Sequence, residues 1–190
     1  MEKNRESRVP KWEMISKSLD EILFQIFKDC NIDEMPEIKR RRLIFDFLAQ
    51  HIEYDYELRE RIKHNKEAVD RSDIVPRNLL IEIPNVLTKR KGICNSISQV
   101  YKLLLEKVGI YSLCVLCNDG SDILHEMVLV QNGDSYSFDD PTNAIVKRNS
   151  EAFFDYDLET AKEYNQTKFF GLPSHYVFSL VGRRDEVEEN

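Results

Sequence analysis

Apolar residues recur at helical spacing along the first part of the chain. Met14, Ile15, Leu19, Ile22, Leu23, Ile26 and Phe27 form one stripe, which predicts a helix over 12–29. "IDEMP" breaks the pattern. A second helix is expected from about Glu37 to Tyr54, with Ile38, Leu43, Ile44, Phe47, Leu48 and Ile52 on one face. "ELRERIKHNKEAVDRSD" is charged and poor in apolar residues, so it reads as an exposed helix or loop with a solvated face. "IVPRNLLIEIPNVLTKRKG" holds two prolines and reads as a connection with one short helix. A third amphipathic helix runs from Cys94 to Val108 and ends at Gly109. The pattern then switches from helical to alternating. Strands are expected at 111–117, 123–131 and 134–139, then a helical stretch around Glu151–Gln166 and a last strand at 175–181. Helices followed by antiparallel strands make an α+β fold.

The same pattern divides the chain. Residues 1–36 form an N-terminal helical extension with a mobile, charged start, 37–182 form one α+β domain, and 183–190 are a charged tail. The length of 190 residues suffices for such a core. A net charge of −7 argues against a nucleic-acid partner, whose binding face would be basic. No apolar run reaches membrane-spanning length, and the N-terminus lacks a secretory h-region. A cytoplasmic location with free thiols is therefore expected. The four cysteines (Cys30, Cys94, Cys114 and Cys117) are too irregularly spaced for a disulfide framework.

One stretch invites chemistry: "KRKGICNSISQVYKLLLEKVGI", residues 89–110. Cys94 is in phase with Ile97, Tyr101, Leu104, Leu105 and Val108, so it could be a buried apolar residue. It also stands where a helix begins. There the unpaired backbone N–H groups and the helix dipole favour an anion. Gly92 permits a close approach with unusual backbone angles, and Lys89, Arg90 and Lys91 add positive charge. Such surroundings can lower a thiol pKa from about 8.5 into the range of roughly 3.5–7.5.

A partner for the thiol emerges from "ILHEMVLVQNGDSYSFDDPT". Asn132-Gly133 is a strong hairpin signal for a two-residue type I′ turn. That turn sets His125 opposite Asp140, Met127 opposite Phe138 and Leu129 opposite Tyr136. Alternation then puts His125 and Asp140 on one largely apolar face, with Asp139 and Glu126 on the other. Opposed residues have Cβ atoms about 4.5–5.5 Å apart, within reach of an Asp–His hydrogen bond. An aspartate on one imidazole nitrogen orients the ring and leaves the other nitrogen for a thiol.

These segments together resemble the transglutaminase-like superfamily of papain-like cysteine enzymes. "IFDFLAQHIEYDYE" is similar to the family's helix ending in Tyr-Asp. "NVLTKRKGICNSISQVYKLLLEKVGI" is similar to its cysteine helix, "LHEMVLV" to its histidine strand and "YSFDDPT" to its aspartate strand. The resemblance covers about residues 40–145. It implies a nucleophile helix packed on an antiparallel sheet, with Cys94 as nucleophile, His125 as base and acid, and Asp140 as orienter. The chain departs from the family in "HEMV", where an aromatic residue often follows the histidine, and in lacking a matching oxyanion side chain.

The expected activity is therefore that of a Cys-His-Asp hydrolase or acyl transferase on amide or ester bonds of a protein or peptide. With no calcium loop in the sequence, hydrolysis is favoured over amine transfer. The alternative is an inactive domain of the same fold that binds a protein partner. No cofactor or metal is expected. Cys114 and Cys117 form a C-x-x-C pair, but in a strand they point to opposite faces and cannot share an ion. His51, His64 and His175 have no evident partners, and no phosphate-binding glycine motif is present.

Overall fold

The computed structural model describes residues 12–64, 83–118 and 124–165. The expected strand at 175–181, the charged tail and the mobile start lie outside the described residues. Helix α1 spans Trp12–Phe27 and α2 spans Glu37–His51. A two-residue strand β1 (Glu53–Tyr54) leads into α3 (Tyr56–His64). A helical stretch over 83–89 (α4) and a second short strand β2 (Lys91–Gly92) precede α5, Cys94–Lys107. The sheet strands are β3 (Ser112–Asn118), β4 (Leu124–Asn132) and β5 (Ser135–Asp139). Helices α6 (Pro141–Lys147) and α7 (Leu158–Asn165) follow. The single late helix expected around Glu151–Gln166 is thus replaced by two. Helix α6 starts at once after the sheet because Asp140 caps it and Pro141 fits its first turn.

Strands β3, β4 and β5 form an antiparallel meander, and β1 pairs parallel with β2. The small β1–β2 ladder, with Glu53 N–H on Arg90 O and Asp55 N–H on Gly92 O, joins the end of α2 to the start of α5. One face of the meander, carrying Cys114, Val128 and Val130, packs into a core shared with Ile22 of α1, Phe45 of α2 and Leu104 of α5. The other face carries Val115, Cys117, Met127, Leu129 and Phe138 and packs against Tyr156 and Ala161. Cys114 and Cys117 thus serve opposite faces, as alternation requires.

Two further expectations change. The buried stripe of α2 is Arg41, Ile44, Phe45 and Leu48, whereas Ile38 is exposed. The β4–β5 register is also shifted by two residues, pairing Leu129 with Phe138 and Asn132 with Ser135. The turn residues are therefore Gly133 and Asp134. Only Gly133 has positive φ (+57°), the sign pattern of a type II′ turn rather than type I′. Asn132 stays in the strand because its amide is used there. Its Oδ1 accepts from Arg41, and its Nδ2 donates to Ser137 and Asp155. A shift of two preserves the pleat, so the division of side chains between the faces is unchanged.

Candidate active site

Cys94 is the first residue of α5. The preceding residue, Ile93, has no side chain able to cap the helix, and the first turn holds no acidic residue. Ser96 Oγ instead accepts the Ile93 backbone N–H at 3.1 Å, fixing the entry of the chain. The positive end of the helix is therefore not neutralised by a side chain of its own first turn. Gly92 is required for packing, not for unusual backbone angles. A Cβ there would lie 2.5 Å from Val86 Cγ2 and 2.8 Å from Ser96 Oγ, and the left-handed residue of this loop is Arg90 (φ +56°). Two of the three upstream cations are engaged elsewhere. Arg90 lies over the Phe47 ring at 5.5 Å, and Lys91 sits 3.7 Å from Asp55.

His125 lies near the start of β4. Its Nε2 is 2.7 Å from Asp140 Oδ2, and Cys94 lies close enough to the ring to interact with it. Since Nε2 is used by Asp140, Nδ1 is the nitrogen left for sulfur. The new register makes Asp140 a diagonal, not a direct, neighbour of His125, still within reach on the same face. Burial works against charge on the imidazole. The Asp140 carboxylate and the contact with Cys94 outweigh it and hold His125 well above its ordinary value. The structure thus brings together all three of the expected site residues.

Asp140 is itself held firmly. It is 1% exposed. Its Oδ1 accepts the Asn143 backbone N–H at 2.8 Å, and its Oδ2 accepts Asn143 Nδ2 at 2.6 Å. One carboxylate therefore caps α6 and grips the imidazole. The Asp-Pro-x-Asn order carries that signal, an N-cap with a donor three residues on, but Asn143 was not among the expected site residues.

Cys114, Cys117 and His51, which the sequence gives no site role, are not part of this cluster. Cys117 stands opposite His125 in the β3–β4 register but is 1% exposed within an apolar cluster. Burial pushes the Cys114 thiol up strongly, beside Glu126. His51 Nδ1 lies 2.9 Å from Phe47 O, an intrahelical contact. His175 and the side chain of His64 lie outside the described residues. Among the described residues no cluster of His, Cys, Asp and Glu could hold a metal ion, and no helix is long and apolar enough to cross a membrane.

Comparison with known proteins adds one result. A crystal structure of a TGase superposes on 75% of this chain with a TM-score of 0.57 at 15% identity. The fold is transglutaminase-like. A candidate cysteine protease from Cytophaga hutchinsonii also matches, over 67% of the chain at 14% identity and a TM-score of 0.44. The chain spans 35% and 37% of these two proteins. No protein-family model matches the sequence, and no curated protein does. At this identity the transglutaminase-like likeness concerns the fold, and the chemistry rests on the side chains.

Proposed function

We propose that this chain is a cysteine-nucleophile enzyme acting on amide or ester bonds of a protein or peptide substrate. Cys94 is the nucleophile, His125 the general base and acid, and Asp140 the orienting carboxylate. The observation that supports the reading is the His125 ring, with Nε2 held 2.7 Å from Asp140 and Cys94 close enough to interact with it.

The chemistry follows from those contacts. An imidazolium beside a sulfur supports its thiolate form. The Cys94 sulfur attacks the carbonyl carbon, and a C–S bond forms. Negative charge builds on the carbonyl oxygen, where first-turn N–H groups of α5 are suited to receive it. The C–N or C–O bond then breaks, and His125 gives its proton to the departing amine or alcohol. Water, or an amine in the transferase case, then attacks the thioester carbonyl while His125 takes its proton; the C–S bond breaks and the Cys94 thiolate leaves, which restores the starting pair. Hydrolysis is the favoured outcome.

Alkylation tests this directly. Iodoacetamide at pH 6.5, followed by peptide mapping, should label Cys94 at least about tenfold faster than the exposed Cys30. His125→Ala should remove most of that advantage. Equal rates at Cys94 and Cys30 in the wild-type chain would sink the enzyme reading.

A further inference from the structure

Asp139, the neighbour of Asp140, sits at the centre of a second polar cluster. Both it and Arg41 are 0% exposed. Asp139 Oδ2 accepts from Arg41 Nε at 2.6 Å and from the Tyr101 hydroxyl at 2.6 Å. Asp139 Oδ1 accepts from Arg41 Nη2 at 2.7 Å and from the Asp155 backbone N–H at 2.8 Å. Arg41 Nη2 also donates to Ser137 Oγ at 2.9 Å and lies 3.1 Å from Asp155 Oδ1, while Nη1 reaches Asn132. Four donors converge on one carboxylate, so its hydrogen-bonding capacity is filled.

The position of this cluster matters more than its strength. A buried ion pair is weak evidence for stability, because desolvation offsets most of the Coulomb attraction. Its best-attested use is to fix one arrangement of the elements it joins. Here it joins α2 through Arg41, α5 through Tyr101, and the end of β5 through Asp139. Tyr101 lies seven residues, two helical turns, beyond Cys94 on the same helix. Adjacent strand residues point to opposite faces. One short piece of backbone therefore offers Asp139 to the nucleophile helix and Asp140 to His125.

Resting on the triad reading above, we infer that Arg41, Asp139 and Tyr101 are positioning residues. They lock the helix that carries Cys94 to the strand end that carries Asp140, and so set the contact of His125 with both. None of the three touches the reacting atoms. They act through the backbone that holds the groups that do.

The test uses the full chain and the variants Tyr101→Phe and Arg41→Lys. The first keeps the ring packed edge-on against Phe45, with 5.8 Å between centroids, and deletes a single hydrogen bond. The second keeps the charge and loses the two-pronged fork. Leu19→Ala on α1, a core change that removes none of the hydrogen bonds of this cluster, serves as the control for general destabilisation. The readout is the titration of the His125 ring by NMR, well below each unfolding temperature. A loosened Asp140 contact lets burial of the ring dominate. The midpoint should then fall by at least about half a unit in Tyr101→Phe and further in Arg41→Lys, and stay in place in the control. Where Cys94 is reactive, its alkylation rate at pH 6.5 should fall about fivefold or more in the same two variants. A His125 midpoint in Tyr101→Phe equal to that of the wild type would overturn the inference. That result does not depend on Cys94 being a nucleophile, which the wild-type alkylation decides by itself.

Discussion

At the scale of single residues, two carboxylates flank the imidazole in sequence or space and behave oppositely. Asp140 sustains charge on His125. Glu126, the next residue in the strand, points to the other face and is buried beside Gln99, whose Nε2 donates to it at 3.0 Å. Burial pushes its carboxyl up to about 7, although Gln99 and Cys114 hydrogen-bond to it and His125 lies near. The unfolded carboxyl ionises near 4.5. Between those values the folded chain holds the extra proton, so rising pH favours unfolding. The loss amounts to roughly 3 kcal/mol at most, at about 1.4 kcal/mol per unit. His125 acts in the same direction. Its value, raised well above 6.5 in the folded chain, gives stability that is full below about 6.5 and is lost as pH climbs from there through the raised value. Glu126→Gln isolates the carboxyl. Its melting temperature should exceed that of the wild type at pH 7.5 by several degrees, and the two should converge near pH 4.5. Curves that stay parallel from pH 4.5 to 7.5 would show that Glu126 ionises normally.

Cys94, His125 and Asp140 were legible because their signals are local: a helix start, a hairpin and an alternating face. Asp139 was legible only in part. Alternation turns it away from His125 correctly, but it could not reveal that the other face is buried beneath Arg41 and Tyr101. Arg41 lies within three consecutive arginines, Arg40 to Arg42, in a helix with strong charge. Its phase with Ile44, Phe45 and Leu48 was the available clue that one of the three points inward. Its partner stands 98 positions away, and no local pattern encodes that pairing.

At the scale of elements, the site depends on how α5 starts and how the hairpin turns. The hairpin tolerated an error of register because a shift of two leaves every side chain on its face. A shift of one would have put His125 and Asp140 on opposite faces of the sheet. At the boundary of β5 and α6, Pro141 serves both to stop the ladder and to open the helix. The start of α5 is less forgiving. An alanine at Gly92 would press on Val86 and on the Ser96 hydroxyl that fixes Ile93. Gly92→Ala should cost about 1–3 kcal/mol in denaturant unfolding and slow Cys94 alkylation in the folded protein. Gly133→Ala is the matched comparison. It strains a residue with positive φ but meets no atom within 4 Å, so it should lower stability by about 1 kcal/mol and leave alkylation unchanged. Equal alkylation in both variants would mean that the turn before Cys94 does not govern the sulfur.

At the scale of the whole molecule, the question is whether α1 is an appendage or part of the core. Its apolar stripe suggests an extension ahead of the α+β domain, but its packing argues for integration. Ile15, Leu19 and Ile22 are each at most 3% exposed and share a cluster with Leu48, Val100 and Leu104. Lys107 of α5 reaches back to Ser16 and Asp20 at 2.9 and 2.7 Å. Trp12, the one tryptophan in the chain, lines a cleft with Leu103 and Glu106 of α5, so its fluorescence reports this contact. If the helix belongs to the core, Trp12 fluorescence and far-ultraviolet circular dichroism should change at one denaturant midpoint. Leu19→Ala should move both together, by about 2–5 kcal/mol, because a buried leucine leaves a cavity in a shared core. An extension would behave otherwise: the fluorescence would change first, and Leu19→Ala would shift that transition while the dichroism held. Because Lys107 and Leu103 near the far end of α5 meet α1, the first outcome would make α1 part of the cooperative unit that includes α5.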